Sequence, residues 1–206
     1  MSPDSKNNRF FMGLLVLLAL LVFPRLTRAE DANPMGVIKN GTDKVLSILR
    51  QSRSGRGLPL RQRESEILNV VSTYFDFGQM AERSMGTTWN QLSPRNRQEF
   101  ASLFKKLLFN TYLDRMQHYH NQPITYDSQQ VNGDLAVVKT HFLTEGGNIP
   151  INYRMYKEGG YWKVYDVVVQ GVSYDDNYRA QITSILASQS FESLLVMLRQ
   201  KVERPG

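Results

Sequence analysis

Residues 160–181, GYWKVYDVVVQGVSYDDNYRAQ, join a strand, a tight turn and the start of a helix in one uninterrupted run. Trp162, Val164 and the run from Val167 to Val169 supply the aromatic and β-branched bulk that packs well in a buried strand. Gly171 ends the apolar run. Ser173, Asp175, Asp176 and Asn177 then offer side-chain oxygens to the first free amides of a following helix. Asp166, between Tyr165 and Val167, is the one acid set inside the apolar strand.

Outward from this stretch, the apolar period divides the chain. After Pro123 it is two, and strands are expected at 124–128, 134–143, 149–156 and 161–169. Asn132-Gly133, Gly146-Gly147 and Gly159-Gly160 punctuate them as turns. Ala136, Val138, Thr140 and Phe142 share one face, as do Ile151, Tyr153 and Met155; Lys139, His141, Asn152 and Arg154 take the wetter face.

Before Pro123 the period is helical. One helix covers 34–50, with Pro34 in its first turn. A second region, 64–85, reads as two pieces divided at Gly78 and stopped by Gly86. Ser93-Pro94 opens the longest helix, expected to reach Tyr119, with Phe100, Leu103, Phe104, Leu107, Leu108, Thr111, Tyr112 and Met116 on one face. Two helices close the chain, one over 177–186 and one capped by Ser190. Helices, then an antiparallel meander, then helices define an α+β fold, with the sheet curling over a helical layer.

The 206 residues suffice for one sizeable domain. The chain is 41% hydrophobic and 11% aromatic, which fits a globular protein, and it has no cysteine. Lys6 and Arg9 precede an uncharged apolar run over 10–23, and Thr27-Arg28-Ala29 resembles a small-residue cleavage site. This layout is that of a secretory signal peptide at 1–29, leaving a single domain at 30–206; the alternative is an uncleaved anchor. Either way the rest of the chain is exported, to the periplasm if the cell has two membranes. The leader carries four cations and one acid, so +3 of the formal +6 goes with it and +3 stays. Mild positive charge in an exported protein does not favour nucleic acid as a partner.

Catalytic signals are sparse. The sequence has no nucleophile elbow, no phosphate-cradling loop and no metal-spaced histidine pair; His118 and His120, two residues apart, point away from each other on a helix. Asp166 could be a buried base with a raised pKa. Against that, such an acid often sits at a strand bulge or pairs with an arginine such as Arg179, and no second catalytic partner is visible. Met80, Met85, Met116, Met155 and Met197 adapt to irregular apolar surfaces and suit a pocket for flexible acyl chains, although periodicity does not separate a lined cavity from a filled core. Arg50, Arg53, Arg56, Arg61 and Arg63 surround the break at 51–59, which is either a solvated basic loop or a contact for anionic head groups or an acidic partner.

The segment Trp162-Lys163-Val164-Tyr165-Asp166-Val167, with Gly171-Val172-Ser173 and Asn177-Tyr178-Arg179-Ala180-Gln181, closely resembles the MlaC family of periplasmic phospholipid-binding proteins, also called toluene-tolerance proteins. The likeness continues upstream through Phe75-Asp76-Phe77, Met80-Ala81, Met85-Gly86, Trp89, Phe100, Phe104, Leu108 and Thr111-Tyr112. Two departures are Met85, where leucine is expected, and the arginine-rich break.

The resemblance implies a curved sheet like that of nuclear transport factor 2, with acyl chains held between sheet and helices. It implies no enzyme activity and no cofactor. The partners it implies are phospholipid, an inner-membrane ABC transporter with an MCE-domain subunit, and an outer-membrane lipoprotein complex. On this footing the expected lining is Phe104, Leu108, Tyr112, Val138, Phe142, Ile151, Tyr153, Met155, Trp162, Val164 and Ile185. Arg179 is expected in a structural ion pair or at a head group. Carriage of a hopanoid or another apolar lipid, or a curved-sheet enzyme using Asp166, are the alternatives.

Overall fold

Turns of two residues join strands that are themselves long enough to pair along most of their length, so the sheet follows chain order. In the computed structural model, which describes residues 33–53, 57–117 and 121–203, five antiparallel strands lie side by side as β1 (Ile124–Asn132), β2 (Leu135–Thr144), β3 (Gly147–Glu158), β4 (Tyr161–Val169) and β5 (Val172–Ser173). Four were expected, β1 and β3 being shorter in the sequence reading. The two-residue β5 is too brief to leave a periodic signal. Ala136 faces Met155, Val138 faces Tyr153 and Thr140 faces Ile151, so the inward face combines the residues that alternation assigned to it.

Two irregularities re-aim the sheet. The β1–β2 register shifts between Tyr126 and Ser128, leaving Asp127 unpaired. In β4, Arg154 pairs with Asp166 but Met155 pairs with Val164, so Tyr165 is an extra residue. Such a bulge reverses the side-chain parity of the strand. Trp162 and Val164 before it, and Val167 and Val169 after it, therefore share the inner face, while Asp166 and Val168 turn to the other.

The helices are α1 (Pro34–Arg53), α2 (Leu60–Tyr74), α3 (Phe77–Met85), α4 (Pro94–Gln117), α5 (Tyr174–Leu186) and α6 (Phe191–Glu203), with a 3₁₀ turn at Gly86–Gln91. The break between α2 and α3 falls at Asp76, not at Gly78, which lies inside α3. Phe75 is drawn into a bridge with Val164, and Asp76 donates its amide to the Val164 carbonyl at 2.8 Å. The freed Asp76 carboxylate then caps α3, accepting from Gln79 N at 2.9 Å. Gly86 ends α3 with φ of 56°, a conformation glycine adopts without penalty. α5 starts three residues before the expected position because Ser173, the first of the four candidate capping residues, is its cap, accepting from Asp176 N at 3.1 Å. Ser93 and Ser190 cap α4 and α6 as expected. The leader, His118 and His120 lie outside the described residues.

Apolar packing forms three clusters. Phe100, Phe104, Leu107, Leu108, Ile182, Leu194 and Leu198 join α3–α6, with the Phe100 and Phe104 rings stacked 5.5 Å apart. Ala136, Val138, Met155, Trp162 and Val164 hold the sheet against Val37 and Ile38 of α1. Leu49, Ile67, Phe109 and Leu113 tie the α1–α2 hairpin to α4. Full burial of such side chains contributes about 1.5–3 kcal/mol each. The space between the clusters is not filled.

Candidate functional site

That space is a cavity of about 450 Å³ bounded by α1, α2, α4 and the inner face of the sheet. Its position follows from helix spacing. Val37, Ile38, Gly41, Thr42, Val45, Leu46 and Leu49 fall on one stripe of α1, and Val70, Val71 and Tyr74 on one stripe of α2. Leu108, Phe109 and Tyr112 come from α4, and Phe142, Ile149, Ile151, Tyr153, Val167 and Val169 from the sheet. None of the 24 lining residues is ionised at neutral pH. The size falls within the roughly 300–1,000 Å³ of small-molecule sites.

The polar groups on the wall are mostly tyrosine hydroxyls. Tyr112 and Tyr174 stack at 4.8 Å. Burial, with the hydrogen bond to Tyr174, pushes the Tyr112 hydroxyl well above its ordinary pKa. Burial does the same to Tyr153, with Tyr126 and Tyr174 adding to it. Both stay neutral donors. Tyr74 packs against Gly41, where an added Cβ would meet the ring at 3.0 Å, and its hydroxyl accepts from Lys44 Nζ at 2.8 Å. Among the described residues the wall thus offers dispersion contacts and a few neutral hydrogen bonds, and no acid–base pair.

Of the eleven expected lining residues, the cavity brings together Leu108, Tyr112, Phe142, Ile151 and Tyr153. Val138, Met155, Trp162 and Val164 do not line it; they sit on the same face of the sheet but in packed core. Phe104 and Ile185 belong to the α3–α6 cluster on the far side of α4. Among the described residues Met80 is the one methionine on the cavity wall, while Met85 and Met155 are core, and the Met116 side chain lies outside the described residues. The sequence reading missed the α1 and α2 walls, although their helical stripes were the available signal.

Asp166 lies outside the cavity and is fully buried on the opposite face of β4. Its partner is Arg154, not Arg179: Oδ2 accepts from Arg154 Nη1 at 3.0 Å and from Ser173 Oγ at 2.8 Å, and Oδ1 accepts from Asp175 N at 3.0 Å. The pairing follows from β3–β4 register, which sequence spacing does not reveal. Arg179 instead joins Arg83 on Asp175, at 3.1 and 3.0 Å. Both oxygens of Asp166 are engaged, so it is a structural carboxylate. Among the described residues no group of His, Asp and Glu could hold a metal ion.

An α+β fold with a curved antiparallel sheet and an uncharged apolar chamber under its helices has the form of a site for apolar ligands. The chain belongs to the MlaC family, whose model, described as MlaC protein, matches residues 39–200. It is 24% identical over 202 residues to the intermembrane phospholipid transport system binding protein MlaC of Haemophilus influenzae, covering 95% of this chain and 94% of that one. It is 27% identical over 177 residues to toluene tolerance protein ttg2D of Pseudomonas putida, covering 84% and 81%. A phospholipid-binding protein from Ralstonia solanacearum, solved in complex with a phospholipid, superposes with a TM-score of 0.74 at 25% identity, covering 84% of this chain and 97% of that one.

Proposed function

We propose that this protein is a periplasmic carrier that encloses phospholipid acyl chains and moves the lipid between the outer and inner membranes. The observation that carries this reading is the chamber of about 450 Å³ walled by aliphatic and aromatic side chains without a single formal charge. Each CH₂ taken out of water is worth roughly 0.8 kcal/mol, so a two-chain lipid leaves a bilayer only if its tails are enclosed. The relatives named for phospholipid binding and transport support the same cargo. Exchange with an inner-membrane MCE-domain ABC transporter and an outer-membrane lipoprotein complex is the cycle this family membership suggests. The buried, fully bonded Asp166 and the absence of an acid–base pair on the wall favour carriage over catalysis.

Native mass spectrometry of the protein exported from an expression host and purified without detergent tests the reading. A bound mass that fragments as a phospholipid is the expected result. A hopanoid mass would shift the cargo to that alternative, and recovery of no lipid would overturn carriage.

A further inference from the structure

The connection between α1 and α2 ends in side chains that neither the core nor the chamber uses. Leu58 and Leu60 are 38% and 53% exposed, and Arg50, near the end of α1, and Arg61 are exposed too. Arg61 does not serve the helix it opens. α2 opens with Arg61 and Arg63 and no acid in its first turn, and Pro59 provides no side-chain cap, whereas the positive end of a helix dipole favours anions. Arg63 closes the tip by donating to Ser52 Oγ. Gly57 packs so tightly there that an added Cβ would lie 2.3 Å from Ser52 Cα. The tip stands just past one end of the chamber: Leu49 and Ile67 behind it pack with Phe142, which lines the chamber at that end.

We infer that the tip formed by Arg50, Leu58, Leu60 and Arg61 is the surface by which the protein meets an anionic phospholipid bilayer. The leucines enter the boundary between head groups and acyl chains, and the guanidiniums pair with phosphates. This rests on the carrier reading for its purpose, because it sets the chamber's end against the bilayer from which a lipid comes. Two exposed leucines with exposed arginines match a surface that is anionic outside and apolar beneath, as a bilayer of acidic phospholipid is. The other exposed apolar group, Val131, Leu135 and Tyr161, lies at the opposite end of the sheet beside Asp134 and Glu158, which would repel an anionic surface. The acids of α2, Glu64 and Glu66, lie a turn behind the tip.

Flotation of the exported protein with phosphatidylcholine vesicles, with and without phosphatidylglycerol, tests the inference. The protein is expected to float with the anionic vesicles and to be released by salt. Arg50→Gln with Arg61→Gln should lower partitioning roughly 25-fold, about fivefold for each cation removed at an anionic surface. Leu58→Ser with Leu60→Ser should also lose binding, while Lys139→Gln on the sheet should not. Thermal melts confirm that the variants fold, and the single arginine variants serve if a double variant does not. Failure of the wild-type chain to float with anionic vesicles, equal flotation with neutral ones, or tip variants that float like wild type would each overturn the inference. Bound lipid is measured on the same samples. Lipid present without flotation refutes the tip alone, and lipid absent throughout refutes carriage while flotation still decides the tip.

Discussion

Arg154 and Asp166 meet across β3 and β4 at 3.0 Å, directly beside the bulge at Tyr165. The Asp166 side chain is wholly buried, and the Arg154 side chain is 40% exposed. Removing the charge from Asp166 therefore leaves a buried polar cluster short of its acceptor, while the arginine can turn to water. Asp166→Asn is expected to lower stability by about 2–3 kcal/mol, the scale of hydrogen bonds to a charged group. Bound lipid per molecule should not change. Urea unfolding and lipid extraction check both halves, and an unshifted urea midpoint would show that the cluster is not structural.

Filling the chamber should separate capacity from stability. Ile151→Trp places a larger ring on a wall that borders empty space. The expectation is a marked loss of co-purifying lipid with a thermal midpoint equal to or above that of the wild type, measured on delipidated protein. Full lipid occupancy in the variant would count against this chamber as the binding site.

Phe104→Ala should do the reverse. Phe104 is buried in the cluster joining α3–α6 and lies outside the chamber. Truncating a buried phenylalanine costs about 3–5 kcal/mol. Whatever fraction remains folded at low temperature should bind lipid as wild type does, which titration of folded protein by circular dichroism and lipid assay can establish.

Asp175 gives a pH dependence with a definite sign. Burial holds its carboxyl above the ordinary value, and the charge of Asp166 adds to this, while Arg83 and Arg179 oppose it. The folded state therefore binds a proton that the unfolded chain releases between about pH 4 and the raised native value. Relative to Asp175→Asn, the stability of the wild type should fall as pH rises through that window and stay level above it. Urea midpoints of the two proteins across this range give the comparison, and a difference that rises with pH would reject the assignment.

Much of this fold was legible because its signals are local. Ser93, Ser173 and Ser190 announce three helices by their hydroxyls, and the paired glycines announce the turns. Alternation also placed Val138, Met155, Ile151 and Tyr153 on one face. It could not say which of them would be packed and which would border space, because that depends on where α1, α2 and α4 stand above each point of the sheet. The same limit explains why Ile38, Val45 and Leu46 read as ordinary helix face. Asp166 was expected at a bulge or against an arginine such as Arg179; it lies beside the bulge, and its arginine is Arg154, because that partner comes from strand register, a relation between distant residues. The α2–α3 break at Asp76 depends on a bridge to Val164, which is equally non-local.

The extra residue at Tyr165 has a further consequence. Counted in twos from Trp162 and Val164, Asp166 is the next position due to point inward. One inserted residue sends Asp166 outward and brings Val167 and Val169 in. The electrical neutrality of the chamber is therefore a matter of parity rather than composition. Were Tyr165 paired in the ladder like its neighbours, the amino acids would be the same, yet a carboxylate would turn toward the chamber.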